Sequence, residues 1–275
     1  MRRAVALSAV AGAAAVLVAG CSSGSSDTAA SDTTASDTTA SDTTVSTTEA
    51  ASSSATTSQT PLDLSQFGVL PAVPAAEAST ASCEYPEAAP AIKENTPPGT
   101  EGVSTAGTVD VAITTSQGAI GLTLDRSEAP CTVNSFTSLA SQSYFDNTVC
   151  HRLTTTEGLA VLQCGDPSGK GNRGPGYEFA NEYPSTAYPA GDPALSRPIV
   201  YPRGTVAMAN AGPDTNGSQF FLVYADSVLP PQYTVFGTIS DEGLDTLDAV
   251  AAGGVSTPGD DGAPKLPVVL ETVSS

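Results

Sequence analysis

Few residues in this chain are equipped for acid, base, nucleophile or metal chemistry, and their types exclude more than they permit. His151 is the only histidine, and Arg152 follows it directly. Five cysteines, Cys21, Cys83, Cys131, Cys150 and Cys164, include no C-x-x-C, so neither a thioredoxin-like redox pair nor a paired-knuckle zinc site is supported. No metal and no cofactor is expected. Hydrolase chemistry fares no better, because no Gly-x-Ser-x-Gly elbow or Ser-x-x-Lys stands in a suitable context. Gly169-Lys170-Gly171 lacks both the spacing and the hydroxyl residue of a phosphate-binding loop. The densest set of residues with special backbone or donor-acceptor demands is instead Met208 to Phe221, MANAGPDTNGSQFF.

That stretch reads as a strand end, a long turn and a second strand. Thr205 to Met208 suit a short buried strand, Asn210 to Ser218 carry two glycines, a proline and polar turn formers, and Phe220 to Tyr224 resume a strand. A turn so ordered usually presents backbone groups to something; the plain alternative is a well-made connection between two core strands.

The elements that must position it begin near Thr108. Val109, Val111 and Ile113 alternate with polar or small residues, Ser116-Gln117-Gly118 turns the chain, and Ile120, Leu122 and Leu124 alternate again, which predicts a hairpin. Pro130 occupies a first helical position, and Val133, Phe136, Leu139 and Ala140 mark one face of a helix of about three turns. Further strands are expected at Val149 to Leu153, Leu159 to Cys164, Thr205 to Met208, Phe220 to Val223, Thr234 to Ile239 and Pro267 to Thr272, with a second helix at Leu244 to Ala251. The fold class is therefore mainly β: a closed eight-stranded antiparallel barrel capped by two helices, over 108–275.

Upstream, three segments precede the barrel. Residues 1–20 read as a leader: Arg2 and Arg3 start it, Ala4 to Ala19 is apolar apart from Ser8 and Gly12, and Val18-Ala19-Gly20-Cys21 resembles the lipobox of bacterial lipoproteins. On that reading Cys21 is the lipidation site and the protein is extracytoplasmic, lipid-anchored to the outer face of the cytoplasmic membrane. An uncleaved anchor and an ordinary secretory signal are the other readings. Residues 21–60 form a Ser/Thr/Asp/Ala-rich tether with three tandem pentapeptides from Ser31 to Val45 and no aromatic residue. A flexible coil of about 60 residues, reaching Cys83, would span roughly 40–45 Å. Residues 61–107 are a Pro-rich transition, to whose first part no structure is assigned; Cys83, Tyr85, Pro86 and Ile92 look like an arm that packs on the barrel.

Charge and cysteine count add two expectations. Removing Arg2 and Arg3 from the ten basic residues leaves eight against 29 acidic ones, a net charge near −21, and no run of cations, so nucleic acid is not a partner. With Cys21 assigned to lipid, four cysteines remain, and an even count outside the cytoplasm suggests two disulfides. Cys150 and Cys164 flank the expected hairpin and are favoured as one pair, leaving Cys83 with Cys131; sequence alone permits three connectivities.

From Thr108 to about Val273 the chain resembles a cyclophilin-type peptidyl-prolyl cis/trans isomerase. His151-Arg152, Gln163-Cys164-Gly165-Asp166, Met208 to Phe221 and Val235-Phe236-Gly237 stand in family order and at nearly family spacing. The resemblance implies an eight-stranded barrel with a helix at each end and rotation of X-Pro bonds, without cofactor or covalent intermediate. It implies Arg152 as the group that holds the proline carbonyl and polarises the imide nitrogen, with Gln163 and Gln219 bonding substrate backbone and orienting the arginine. A surface ion pair is the plain alternative for Arg152. By the same resemblance Phe221, Leu229 and Tyr233 form the proline pocket with Val161 and Met208, and Ala209, Asn210 and Ala211 form the rim where substrate main chain pairs. Phe220 alternates to the opposite face and is expected in the core. His151 is expected to be a buried structural residue, since amide rotation transfers no proton.

The chain departs from the family pattern at three points. An expanded turn at Thr154 to Gly158 separates Arg152 from Gln163 by three more residues than the pattern, Ala160 stands where a pocket phenylalanine is usual, and Val228 replaces a groove tryptophan. A wider or differently closed pocket and weak binding of cyclosporin-like ligands are expected. The partners implied are proline-containing peptides and unfolded secreted proteins, met by a monomer. A proline-peptide binding module or holdase chaperone with little turnover is the alternative.

Overall fold

The computed structural model describes residues 61–275; the leader, Cys21 and tether expected over 1–60 lie outside the described residues. An arm comes first, with a 3-10 turn at Leu64–Gln66, β1 (Gly68–Val69), β2 (Thr80–Ala81) and β3 (Val103–Ser104). The hairpin β4 (Thr108–Thr115) and β5 (Gly118–Asp125) follows, then α1 (Pro130–Ser141), β6 (Thr148–Val149), β7 (Arg152–Thr156) and β8 (Leu159–Cys164). Next are β9 (Ile199–Tyr201), β10 (Thr205–Met208), β11 (Phe220–Ala225), β12 (Ser227–Leu229) and β13 (Val235–Ile239). The chain ends with α2 (Asp241–Ala252), β14 (Asp261–Gly262) and β15 (Val269–Ser274).

Ten strands form one antiparallel sheet in the order β14-β7-β8-β11-β10-β13-β5-β4-β15-β6. Its two ends are joined covalently. β6 pairs with β15 and β7 pairs with β8, yet only Cys150 and His151 separate β6 from β7. Counting β6 and β7 as one bent strand and β14 as a two-residue edge leaves the eight staves expected.

Alternation explains the hairpin: Val111, Ile113 and Thr115 of β4 and Ile120, Leu122 and Leu124 of β5 are buried while their neighbours are not. The expected face of α1 is the buried one, and Phe136 stacks on Phe145 at 4.9 Å and meets Phe220 edge-on at 5.2 Å. Helix α1 begins without a capping side chain, since its N-cap is Ala129. Glu182 substitutes from a distance, accepting from Cys131 N at 2.9 Å, Thr132 N at 2.8 Å and Thr132 Oγ1 at 2.7 Å. Helix α2 starts at Asp241, three residues before the expected Leu244, because Ser240 caps it by accepting from Gly243 N.

Three findings depart from the sequence reading. β1 pairs in parallel with β9, and β9 pairs with β12, making a small second sheet from segments too short to show a period. Thr154 to Gly158 is mostly strand: β7 runs to Thr156 and a two-residue turn, Glu157-Gly158, leads into β8. Within the arm, Ile92 is 42% exposed rather than packed.

The arm is otherwise stitched down by polar contacts. Tyr85 Oη donates to Cys131 O at 2.8 Å, Lys93 Nζ donates to Ser143 O and Tyr144 O, and Glu87 bridges Tyr177. Disulfides join Cys83 to Cys131 and Cys150 to Cys164.

Candidate active site

Register alone assembles the centre of the site. Arg152 on β7 faces Gln163 on β8, Gln163 faces Phe221 on β11, Phe221 faces Ala207 on β10, and Ala207 faces Val235 on β13. Directly opposed residues of antiparallel strands project to one side of the sheet, so this row shares one face. Around it lies a second apolar cluster, separate from the barrel core: Val161, Ala207, Phe221, Val223 and Val235 with Tyr183, Ile199 and Tyr201. Leu229, Tyr233, Ala209, Leu159 and Leu70 of the arm pack against it. The rings of Phe221 and Tyr233 meet edge-on at 5.7 Å.

The same parity overturns two expectations. Met208 pairs with Phe220, which pairs with Cys164, and all three belong to the barrel core; Met208 is 2% exposed and faces away from the candidate pocket. Ala160 is also in the core cluster, so its missing ring does not widen the pocket, and Leu159, Val161 and Gln163 are the β8 residues on the site's side.

A directed chain of hydrogen bonds runs along the site. Arg152 Nη1 donates to Gln163 Oε1 at 3.3 Å, Gln163 Nε2 donates to Gln219 Oε1 at 3.0 Å, and Gln219 Nε2 donates to Arg173 O at 3.1 Å. Arg173 N then donates to Asp166 Oδ2 at 3.1 Å. Each amide accepts on one side and donates on the other, so the series fixes both glutamines and ends on a carboxylate. Asp166 is fully buried and also accepts from Ser168 N, Ser168 Oγ and Asn172 N. Burial opposes its ionisation, but these donors outweigh it and hold the carboxyl below the usual range.

Arg152 makes the ion pair that sequence offered as the plain alternative, and makes the glutamine contact as well. Nε donates to Asp261 Oδ1 at 2.8 Å and Nη2 to Asp261 Oδ2 at 2.7 Å, a side-on bidentate pair. The bonded Asp261 raises the guanidinium's pKa still further, and the guanidinium holds Asp261 below the ordinary carboxylate range.

The Met208 to Phe221 turn closes on itself. Ala209 N donates to Gln219 O, Ala211 N to Thr215 Oγ1, and Asn210 Nδ2 to Gln232 O. Among the described residues the backbone N–H and C=O of Asn210 make no hydrogen bond, which leaves Asn210 as the rim position able to pair with a peptide backbone. Beside it is a cavity of about 200 Å³, lined by Gln163, Arg173, Ala209 to Ala211, Gln219 and, from the arm, Ala88 and Ala89. Two glycines let the segments close: a Cβ at Gly165 would lie 2.2 Å from Ser218 O, and one at Gly171 would lie 2.7 Å from the His151 ring.

His151 is half-buried, with both ring nitrogens shielded and unpartnered. Burial lowers its pKa, Asp166 opposes that, and Arg152 adds to it. The imidazole packs against Gly171.

Sequence reasoning did not find Asp261, Asp166, Arg173 or the arm residues Ala88 and Ala89. Asp166 had a signal, as the end of the Gln163-Cys164-Gly165-Asp166 motif before a Ser-Gly-Lys-Gly turn. Asp261 sits 109 residues from Arg152 in a Gly/Asp-rich loop, with no local pattern to mark it.

An antiparallel barrel with two helices, whose outer face carries a fixed guanidinium beside an apolar patch and an unpaired rim backbone, is the cyclophilin class of architecture. The family described as cyclophilin type peptidyl-prolyl cis-trans isomerase matches residues 109–275, and the chain belongs to it. A probable peptidyl-prolyl cis-trans isomerase B of Mycobacterium leprae is 58% identical over 194 residues, covering 70% of this chain and 66% of the relative. Its counterpart in Mycobacterium tuberculosis H37Rv is 58% identical over 195 residues, covering 70% and 63%. The chain thus spans slightly less than two thirds of these two relatives. A peptidyl-prolyl cis-trans isomerase A of Mycobacterium tuberculosis is 34% identical over 184 residues, 61% of this chain and 92% of that one. Among solved structures, a cyclophilin type isomerase from Cryptosporidium parvum aligns at TM-score 0.48 and 28% identity, over 61% of this chain and 97% of its own.

Proposed function

We propose that this chain is a peptidyl-prolyl cis/trans isomerase acting on X-Pro bonds in extended segments of proteins outside the cytoplasm. The observation that carries the reading is the row of Arg152, Gln163 and Phe221 on one sheet face, beside an apolar patch and a cavity that Gln163 and Asn210 both line.

The reaction needs little else. Amide resonance sets a rotation barrier of about 18–20 kcal/mol, and uncatalysed X-Pro exchange takes tens of seconds or more. A catalyst must favour the twisted amide, whose nitrogen regains its lone pair. The apolar patch of Phe221, Leu229, Tyr233 and Val161 would hold the proline ring, and Asn210 would pair with the residues before it. Arg152 would then donate to the proline carbonyl and toward the imide nitrogen, with a charge that does not titrate in the working range. No proton moves.

The test is NMR exchange on a Xaa-Pro peptide, comparing the protein with Arg152→Ala. A loss of acceleration greater than tenfold supports the assignment. Peptide binding without acceleration in the parent would identify a binding module or holdase instead.

The lipid anchor at Cys21, the location on the outer face of the cytoplasmic membrane and the monomeric state belong to the same proposal. Its support is the apolar run ending in Val18-Ala19-Gly20-Cys21 and the two disulfides, which suit an oxidising compartment. Fatty-acid labelling that persists in Cys21→Ser, or protein that stays membrane-bound in that variant, would refute the anchor.

A further inference from the structure

We infer that Asp261 is a positioning residue for Arg152, holding the guanidinium edge-on so that its remaining N–H groups point at substrate; the inference rests on the isomerase reading of this site. Arginine offers five N–H donors in a rigid plane. Asp261 takes Nε and one hydrogen of Nη2, and Gln163 takes one hydrogen of Nη1. One hydrogen on each terminal nitrogen is left, that of Nη2 on the Nη1–Nη2 edge that Asp261 does not occupy. Gln163 alone, at 3.3 Å and on one nitrogen, would leave the plane free to turn. A carboxylate on the Nε–Nη2 edge removes that freedom.

The backbone that delivers Asp261 is docked on the outer edge of β7. Asp261 pairs with Thr154 and Gly262 with Leu153, and Thr155 N donates to Asp260 O at 2.8 Å. Thr154 and Thr155 lie in the segment that separates Arg152 from Gln163 by more residues than the family pattern. The outer edge of β7 gives the 255–266 loop a place to dock, and the docked loop brings its carboxylate to the arginine two residues away on β7. The carboxylate is 53% exposed and the guanidinium 37%, so the pair contributes little to folding; its consequence is orientation.

Asp261→Asn keeps the side chain's size and the β14 backbone while removing the charge that grips the fork. In the full chain, kcat/KM on a Xaa-Pro peptide is expected to fall about three- to tenfold, mostly in kcat, with the melting temperature nearly unchanged. In an Arg152→Lys background, where no fork exists to orient, the same substitution is expected to change nothing further. Nitrogen-15 spectra give a readout independent of turnover: the Arg152 Nε–Hε signal should exchange slowly in the parent and collapse into the solvent-exposed envelope in Asp261→Asn. Asp261→Asn with parental kcat/KM, an equal loss in both backgrounds, or an unprotected Nε–Hε in the parent each overturns the role. A parent that accelerates no exchange overturns the isomerase reading, and the Nε–Hε signal then still decides whether Asp261 holds the arginine.

Discussion

Replacing Asp166 by asparagine should loosen the wall of the groove while leaving the barrel intact. The carboxylate accepts four hydrogen bonds, from Ser168 N at 2.7 Å, Ser168 Oγ at 2.8 Å, Asn172 N at 2.9 Å and Arg173 N at 3.1 Å. Asparagine keeps one oxygen for Ser168 N but turns an NH2 toward the N–H groups of Asn172 and Arg173. Two donors lose their acceptor beside the buried Asp166 side chain, at a cost of at most about 1–3 kcal/mol each, since Asn172 and Arg173 are themselves exposed. Relaxation of the loop recovers part of this, so a loss of about 2–4 kcal/mol is expected. For a domain of this size that lowers the melting temperature by roughly 5–15 °C. The pH dependence has a definite sign. Asp166 is held below the usual carboxylate range, so its contribution is complete above an unfolded pKa of about 3.9 and fades as pH falls through the lower folded value. Urea denaturation at pH 5 to 8 should therefore show a constant gap between parent and variant, narrowing only below about pH 4. Hydrogen exchange should show lost protection at Asn172 and Arg173. Because Arg152 keeps both Gln163 and Asp261, KM should rise several-fold while kcat moves less than about threefold. A variant within about 0.5 kcal/mol of the parent, with those two amides still protected, would refute the reasoning.

Three further outcomes are expected. Glu182→Ala strips the only side-chain acceptor that the described residues offer to the start of α1, leaving Cys131 N, Thr132 N and Thr132 Oγ1 unpaired; a loss of about 2–4 kcal/mol in urea unfolding is expected, and less than about 1 kcal/mol would dismiss the capping role. Glu128 is pushed up to about 7 by burial, with the charge of Asp125 adding to it. Its folded pKa exceeds its unfolded one, so the stability it contributes is present below about pH 4.5 and is lost as pH rises through 7; Glu128→Gln should flatten the profile and, discounting for partial exposure, gain about 1 kcal/mol at pH 8. Parallel profiles for parent and variant at pH 5 and 8 would count against it. Finally, Cys150→Ser with Cys164→Ser should cost about 2–3 kcal/mol and lower kcat/KM several-fold, because those cysteines flank the paired Arg152 and Gln163, whereas Cys83→Ser with Cys131→Ser should cost stability with kcat unchanged. Equal effects of the two pairs on kcat would remove the brace from the argument.

The barrel was legible where the chain carries a period. β4 and β5 alternate cleanly, and α1 shows its face in Val133, Phe136, Leu139 and Ala140, so local pattern and tertiary burial agree. β1, β9 and β12 have two or three residues each, too few to display a period, and they exist because they pair with one another. Within the site the difficulty was parity. A strand reverses faces at every residue, so assigning Phe220 to the core assigns its partner Met208 there too, but only once register is known. Register depends on how the long turn from Ala209 to Gln219 closes, through Ala209 N to Gln219 O, and no single residue announces that bond.

Ala160 and the lengthened hairpin show the same limit from the other side. Both departures from the family pattern suggested a disturbed half-site opposite the long turn. In three dimensions Ala160 is a core residue, and Val161 stands on the pocket face. The added length in Thr154 to Gly158 extends β7 to Thr156, while β14 pairs with Leu153 and Thr154 nearer its start. Its far end is used as well, since Glu157 accepts from Leu62 N at 2.5 Å and the arm crosses the turn there. An insertion that looks like a defect in one dimension is thus paired on its outer edge with a carboxylate-bearing strand. β14 docks on Leu153 and Thr154, the two residues that follow Arg152, and without β14 the guanidinium of Arg152 would keep only its single contact to Gln163.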